Sequence, residues 1–301
     1  MIKTLNRKYF LALTFIVAGI IIFPCFVANA DNQPIIPDAF VSSERLSQGD
    51  TLLIVVKNEP NQISGNLGLV PLIFFRDETG KDWIAITGIT LSKTPGMYNL
   101  FINVPGKSVF NKNIIILKKD FPITQLLVTQ KLVQIGYTAK NVVNNVINNE
   151  NKILLKVLNV ITPISYINKS FIYPVTEIKD VGAFGNIRKS NTYEIRHLGV
   201  DLKAPVNTLV YAANDGKVVL VESMWDYGNT VIVDHGLGVY SLYLHLGYFN
   251  VKEGQIVKQG DLIGLSGNTG YSITPHLHFS ISMRGASLDP LKFIEATQAD
   301  W

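Results

Sequence analysis

Cysteine and histidine are scarce in this sequence of 301 residues, which contains one cysteine, Cys25, and five histidines. Because a single thiol cannot build a cysteine zinc site, that class of metal site is excluded. Cys25 lies in the N-terminal segment that we interpret below as a leader. The rest of the chain therefore needs no disulfide chemistry outside the cytoplasm.

Acidic residues are absent from residues 1–30, which contain Lys3, Arg7 and Lys8. These three account for most of the formal net charge of +4, since the remaining residues carry 24 basic and 23 acidic side chains. A chain without a general basic field lacks the electrostatic footprint of a nucleic-acid-binding protein. We therefore expect no nucleic-acid partner.

The first 30 residues have the pattern of a secretory signal peptide. A basic start precedes an apolar run from Tyr9 to Phe23, and Ala28-Asn29-Ala30 fits a cleavage site with small residues. This pattern predicts export to the periplasm, the cell envelope or the medium. The run from Tyr9 to Ala28 is also long enough to span a bilayer, so an uncleaved membrane anchor is the alternative.

Residues 31–125 have the pattern of a β domain, with short apolar segments separated by turns rich in Gly, Pro, Asn and Asp. This spacing predicts a small β-sandwich. No titratable groups are concentrated there, so we expect a structural or positioning role. The predicted strands are Thr51–Val56, Leu69–Phe75, Trp83–Thr87, Met97–Ile102 and Asn113–Leu117.

Residues 126–169 are predicted to form a helical linker. Between Thr138 and Val160, valine, isoleucine and leucine recur at intervals of three and four residues, which indicates an amphipathic helix. A break is expected in the tract 148–151, and Pro163 is expected to end the helix. Valine and asparagine are weak helix formers, so its stability must come from packing.

Residues 170–301 again predict an all-β domain, with strands separated by glycine-rich turns. All five histidines lie in this region. In the segment Thr274–Ile281 strict alternation places His276 and His278 on the polar face of a strand. A second strand, from His197 to Leu202, is expected to present His197 and Asp201 on one face, with Gly199 leaving room between them for an ion.

A third predicted strand, from Ser241 to Leu246, alternates leucines with Ser241, Tyr243 and His245. Imidazole nitrogens with one carboxylate suit zinc, and a catalytic zinc site takes three protein ligands. His197, Asp201 and one of His276 and His278 supply that number. The remaining histidines can then accept a proton or stabilise charge. The fifth histidine, His235, precedes a glycine turn and is interpreted as structural.

The C-terminal region resembles the lysostaphin/LytM-type zinc endopeptidases, which cleave peptide bonds in bacterial peptidoglycan. The resemblance covers roughly residues 170–293. It combines a His-x-x-x-Asp motif at residues 197–201 with a His-x-His motif at residues 276–278. Further matches are Phe184-Gly185 with Arg188, Gly228–Val231, Asp234-His235-Gly236, Leu242–Leu246 and Gly260–Gly270. Residues 38–125 also resemble the Ig-like domain that precedes the peptidase in some exported members.

The resemblance implies a mainly β fold with an N-terminal Ig-like β-sandwich, a helical linker and a C-terminal antiparallel β peptidase domain of the duplicated hybrid type. It assigns Zn²⁺ to His197, Asp201 and His278. His276 and His245 match the two histidines that handle the proton of the attacking water and the charge of the oxyanion. Which of them is the base stays open.

The substrate implied by the resemblance is a peptide crosslink of peptidoglycan, either a Gly-Gly bridge or a D-alanyl bond to a diamino acid. Some members of the family lack ligands and only activate other wall hydrolases. A non-catalytic wall-binding activator or scaffold is therefore the alternative function. All five functional positions are filled here, which favours the enzyme.

Overall fold

The computed structural model describes residues 35–298, and strands account for 42% of the structure against 13% for helices. The mainly β fold predicted from the sequence is thereby confirmed. The predicted leader, residues 1–30, lies outside the described residues. Among residues 35–298, no helix is both long enough and apolar enough to cross a membrane.

Ten short strands precede the helices, and the first nine of them supply two sheets of the N-terminal region. They are β1 (Ala39–Val41), β2 (Arg45–Ser47), β3 (Thr51–Val56), β4 (Ser64–Leu67), β5 (Val70–Pro71), β6 (Phe74–Arg76), β7 (Trp83–Gly88), β8 (Gly96–Asn103), β9 (Phe110–Leu117) and β10 (Ile123–Gln125). The strand orders are β1-β3-β7-β6 and β2-β9-β8-β4-β5. This arrangement agrees with a β-sandwich, while its Ig-like character stays a prediction.

Strand β3 is buried on both faces, which explains its unbroken apolar sequence. Leu52 and Ile54 pack into the core of the N-terminal region, whereas Leu53 and Val55 pack into the core that the C-terminal strands share. The N-terminal sheets therefore pack directly against the C-terminal region. The domain boundaries at residues 125 and 169 stay predictions.

The single strand predicted from Leu69 to Phe75 is wrong. The segment forms β5 and β6, which belong to different sheets. Pro71 lacks a backbone N–H and cannot continue a ladder, so the chain leaves one sheet there and enters the other at Phe74.

Helices occupy the linker, where the sequence predicts them. They are α1 (Gln130–Gln134), α2 (Ala139–Asn145) and α3 (Asn151–Leu158), and a π-turn (Val146–Glu150) joins α2 to α3. The predicted amphipathic helix is thus confirmed. Its π-turn overlaps the tract 148–151, where a break is expected, and begins two residues before it. Thr138 caps its N-terminus through a reciprocal pair of hydrogen bonds with Asn141. The helix ends at Leu158, so Pro163 does not terminate it.

The C-terminal strands form a three-stranded sheet, which includes β10, and a ten-stranded sheet in which every pair is antiparallel. They are β11 (Asp180–Gly182), β12 (Ile187–Ser190), β13 (Tyr193–Arg196), β14 (Val200–Lys203), β15 (Leu209–Tyr211), β16 (Gly216–Met224), β17 (Gly228–Asp234), β18 (Val239–Phe249), β19 (Ile256–Val257), β20 (Leu262–Ser266), β21 (His276–Met283) and β22 (Ala286–Leu288). A last helix, α4 (Pro290–Thr297), follows.

The two faces of the large sheet bury different cores. Val200, Tyr243 and Phe279 pack into the main core on one face. On the other face, Leu242 and Leu244 belong to a smaller core that Leu154 and Leu158 of α3 complete. Helix α3 therefore covers part of the sheet face on which the candidate site lies.

Candidate metal centre and groove

Strand register brings the polar ends of β14, β21 and β18 together at one edge of this face. Asp201 on β14 lies opposite His278 on β21, and His278 lies opposite Leu244 on β18. Alternation along β21 was predicted correctly, since His278 and Ser280 line the groove while Leu277 and Phe279 are fully buried in the main core.

His197 reaches the same place from a connecting segment, which corrects the predicted strand from His197 to Leu202. Strand β13 ends at Arg196 and β14 begins at Val200. The backbone N–H of His197 donates to the carbonyl of Asn186 at 2.8 Å, which holds this segment in place.

Gly199 lies at a point of close approach rather than leaving space for an ion. A Cβ there would lie 2.2 Å from Ser280 Oγ and 2.5 Å from His278 Nε2. Only glycine therefore allows this connection to pass against β21.

Three donor atoms converge with nearly equal separations. His197 Nε2 lies 2.9 Å from Asp201 Oδ1 and 2.9 Å from His278 Nδ1. His278 Nδ1 lies 2.9 Å from the same oxygen of Asp201. All three residues are buried.

The outer nitrogens of the two rings have partners of their own. His197 Nδ1 donates to the carbonyl of Ala183 at 2.9 Å, and His278 Nε2 pairs with the Ser280 hydroxyl at 2.8 Å. When the Ser280 hydroxyl accepts from His278 Nε2, both inner nitrogens present lone pairs, and with the carboxylate oxygen they make three acceptors that face one another. A cation between its members would stabilise such a set.

The donor set fits zinc by its chemistry and its size. Two imidazoles and a carboxylate are the ligand types of catalytic zinc sites. Tetrahedral coordination at the usual zinc–ligand lengths separates neighbouring ligand atoms by about 3.3 Å. The observed separations are within a few tenths of an ångström of that value. The three residues can therefore hold a metal ion with little rearrangement.

Electrostatics keep the carboxylate ionised. Burial alone would raise the pKa of Asp201, but its contacts with His197, His276 and His278 hold that pKa well below its ordinary value. Arg188 on β12 donates to the second oxygen, Oδ2, at 2.8 Å. Arg188 belongs to a sequence motif noted above, but that motif did not indicate this contact.

His245 lies beside the three acceptors because its backbone leaves the regular strand conformation. Its φ is +59°, in the left-handed region, and the register between β17 and β18 shifts between Tyr243 and Leu246. Ser241 and Tyr243 pack together on the main-core side, whereas His245 lines the groove with Leu242 and Leu244. The prediction that His245 shares a face with Ser241 and Tyr243 is therefore wrong, because the bulge reverses the alternation.

His276 presents Nε2 to the three donor atoms, and the ring of His245 lies beside it. His245 Nδ1 donates to the carbonyl of Thr269 at 2.8 Å, and His276 Nδ1 donates to the carbonyl of Thr274 at 2.7 Å. Their ring centroids lie 4.8 Å apart, and His276 Nε2 is 3.4 Å from Asp201 Oδ1. All the predicted site residues are thus brought together.

The two rings differ in their electrostatic surroundings. Burial, together with the neighbouring His276 and His278, lowers the pKa of His245 well below its ordinary value. Burial also acts to lower the pKa of His276, but the hydrogen bond and charge of Asp201 outweigh it and raise that pKa.

His235 packs in the core, as the sequence analysis expects. Its Nδ1 donates to the carbonyl of Asp215 at 2.7 Å, and its Nε2 lies 2.8 Å from Ser241 Oγ. Burial lowers its pKa to about 4, so the ring is neutral at physiological pH.

A groove of about 300 Å³ runs from this cluster along the sheet face. Leu154, Leu155 and Leu158 of α3 line one side, and Leu242 and Leu244 line its floor. The sequence predicts the helix but not its position beside the histidines, since nothing in its periodicity specifies the surface it covers.

This constellation defines a metallopeptidase-type site, with a metal-competent His-Asp-His set, two further histidines and an adjoining groove. Residues 195–290 match the sequence model of the family described as "Peptidase family M23". The chain therefore contains a peptidase M23 domain.

Related proteins share this domain. Peptidoglycan DD-endopeptidase ShyA of Vibrio cholerae is 43% identical over 96 residues, which cover 32% of this chain and 22% of that protein. Glycyl-glycine endopeptidase ALE-1 of Staphylococcus capitis is 45% identical over 109 residues, covering 33% of this chain and 29% of that protein. The chain thus spans less than a third of the length of either relative.

A solved structure resembles nearly the whole described fold. A peptidase M23 from Pseudomonas aeruginosa is 25% identical with a TM-score of 0.56, and the match covers 88% of this chain and 96% of that one. The likeness therefore extends well beyond the family domain.

Proposed function

We propose that this protein is an exported, zinc-dependent endopeptidase that hydrolyses peptide crosslinks of bacterial peptidoglycan. The observation that carries the proposal is the convergence of three potential ligand atoms, from His197, Asp201 and His278, beside the rings of His245 and His276. The naming of ShyA as a peptidoglycan DD-endopeptidase supports the substrate class.

His197, Asp201 and His278 would hold the zinc ion. When bound, zinc supplies Lewis-acid chemistry, which polarises a carbonyl and makes water nucleophilic near neutral pH. Arg188 orients the carboxylate of Asp201, the carbonyl of Ala183 fixes the tautomer of His197, and the Ser280 hydroxyl orients the ring of His278.

His245 and His276 would move protons and stabilise charge during amide hydrolysis. With Nδ1 of each ring donating to a backbone carbonyl, Nε2 is the atom of each ring that would accept a proton from the attacking water or return one to the leaving amine. A protonated Nε2 can also stabilise the oxyanion of the tetrahedral intermediate. We assign the two residues jointly to these steps.

The groove supports the binding of an extended peptide next to these groups. Its aliphatic walls can pack against side chains of a stem peptide, whereas Arg188 and Arg196 at its border carry the opposite charge to stem-peptide carboxylates. Both a D-alanyl crosslink and a glycine bridge are candidates, since the names of ShyA and ALE-1 point to different bonds. Because peptidoglycan lies outside the cytoplasmic membrane, an extracytoplasmic location follows from the same proposal.

The experiment that tests the proposal compares two substrates. Purified peptidoglycan sacculi and an unstructured protein are incubated separately with zinc-loaded protein, and with protein treated with chelator. We expect solubilisation of the sacculi by the loaded protein alone, and no cleavage of the unstructured protein. Metal-loaded protein that leaves sacculi intact would favour a non-catalytic wall-binding role, and cleavage of the unstructured protein would indicate a general protease.

A further inference from the structure

Glu150 is a buried acid in the π-turn between α2 and α3, with only 3% of its surface exposed. It ion-pairs with no lysine or arginine among residues 35–298. Its carboxylate instead accepts the backbone N–H of Asp226 at 2.8 Å on Oε1 and the backbone N–H of Tyr227 at 3.0 Å on Oε2. Two successive N–H groups form a favourable site for an anion.

These two N–H groups belong to the hairpin turn that joins β16 to β17. On its other side, the turn contacts the proposed catalytic site through its carbonyl groups. The carbonyl of Tyr227 accepts the backbone N–H of His245 at 3.1 Å, and the carbonyl of Asp226 accepts the backbone N–H of Tyr271 at 2.8 Å. Tyr227 therefore connects the two residues directly, because its N–H donates to Glu150 and its carbonyl accepts the N–H of His245.

Tyr271 lies in the loop that also contains Thr269, whose carbonyl accepts the ring N–H of His245. Thr269 Oγ1 in turn accepts the backbone N–H of Asn229, which follows the hairpin turn. The main chain and the ring of His245 are thus both held by segments that the hairpin turn organises.

His245 depends on such support because its φ of +59° lies in a region that costs a non-glycine residue conformational energy. If its backbone relaxed toward an ordinary strand, the ring would turn to the face of Tyr243 and leave the groove. The strained conformation therefore requires surroundings that fix it.

We propose that Glu150 is a positioning residue for His245. Its carboxylate clamps the 226–227 turn, which holds the left-handed conformation that directs the His245 ring at the metal centre. The inference rests on the proposed function for its catalytic consequence. The inference also gives the π-turn a structural role, because the π-turn directs the Glu150 side chain toward the sheet instead of toward solvent.

Two substitutions and one matched control test this inference. Glu150→Ala removes both acceptors, and Glu150→Gln keeps one oxygen acceptor and replaces the other with a donor. Asn148→Ala changes an exposed residue in the same π-turn. The readouts are kcat and KM on a crosslinked muropeptide, zinc stoichiometry, and backbone amide hydrogen exchange at His245 in the metal-free protein.

For Glu150→Ala we expect kcat to fall about 10- to 100-fold, as is typical of small misplacements of a catalytic group. KM and zinc stoichiometry should stay close to those of the parent protein, while the His245 amide should exchange faster relative to the amides of β3. Glu150→Gln should show an intermediate loss, and Asn148→Ala should match the parent. If Glu150→Ala does not fold, kcat and the exchange rate of the His245 amide in Glu150→Gln test the inference instead.

A folded Glu150 variant with parental kcat and parental exchange at His245 would overturn the inference. Exchange that rises equally at His245 and in β3 would show a role in general stability only and would also overturn it. If the parent protein hydrolyses no muropeptide, the proposed function fails, yet the exchange comparison in metal-free protein still decides whether Glu150 positions His245.

Discussion

The Nε2 atom of His197 and the Nδ1 atom of His278 lie 2.9 Å apart, and the other nitrogen of each ring is already engaged. Both inner nitrogens also lie 2.9 Å from Oδ1 of the buried carboxylate of Asp201. Three potential ligand atoms this close together can share one metal ion. The pair therefore indicates a metal site more directly than its residue types alone.

Ser280 should tune metal affinity through His278. Ser280→Ala removes the partner of His278 Nε2, and loss of such an outer partner typically weakens metal binding about 10- to 100-fold. Zinc affinity is measured by competition with a chromophoric chelator. Ser282→Ala is the matched control, because Ser282 lies two residues further along the same face and its buried hydroxyl has no hydrogen-bond partner in the described part of the chain. Equal affinities in the two variants would contradict the assigned contact.

His245 and His276 should be needed for hydrolysis but not for metal retention. His245→Ala and His276→Ala each remove an imidazole beside the three potential ligand atoms while leaving His197, Asp201 and His278 in place. We expect losses of at least about 100-fold in kcat, within the range for general acid–base groups. Zinc stoichiometry, measured by elemental analysis, should remain that of the parent. A His276→Ala protein with full turnover would refute its assignment.

Asp226 should make the protein less stable as the pH rises toward neutrality. Burial and the nearby charge of Glu150 raise the pKa of Asp226 to about 7, although Asn145 donates to its Oδ2. Between its ordinary value of 3.8 and about 7, the unfolded chain releases this proton while the folded chain keeps it. The free energy of unfolding therefore falls across this window as the pH increases and is not regained above it.

Asp226→Asn removes the titrating group and should flatten this dependence. The variant should gain stability relative to the parent at pH 8, on the order of 1 kcal/mol, and gain least at pH 4. Urea unfolding at the two pH values measures the difference. A parent protein whose stability rises by the same amount as that of the variant between pH 4 and pH 8 would contradict the raised pKa.

The sequence predicts the elements that regular periodicity specifies. Alternation along β21 correctly separates His276 and His278 from Leu277 and Phe279, and intervals of three and four residues indicate the helix around α2 and α3. The residue pattern proposes His197, Asp201 and one of His276 and His278 as metal ligands, and the choice of His278 comes from the resemblance, because residues from β14 and β21 meet only through strand register. Register depends on long-range pairing and cannot be read from either segment alone.

The errors share a physical cause, which is local departure from a regular backbone. His197 lies in a connection and not on a strand, and Pro71 sends the chain from one sheet to another. His245 changes face through one left-handed residue, and Glu150 turns inward through the π-turn. A single irregular residue reverses a pattern that assumes a constant repeat, so these positions became evident only in the folded structure.

The measurement that tests the central claim most directly is the mass of the products from defined muropeptide dimers. One dimer carries a D-alanyl bond to a diamino acid and the other a glycine bridge, and each is incubated with zinc-loaded protein, metal-free protein and His278→Ala. We predict that the zinc-loaded parent converts at least one dimer to monomers with the gain of one water, and that the other two samples do not. Intact dimers with fully zinc-loaded protein, or equal cleavage without metal, would contradict the account.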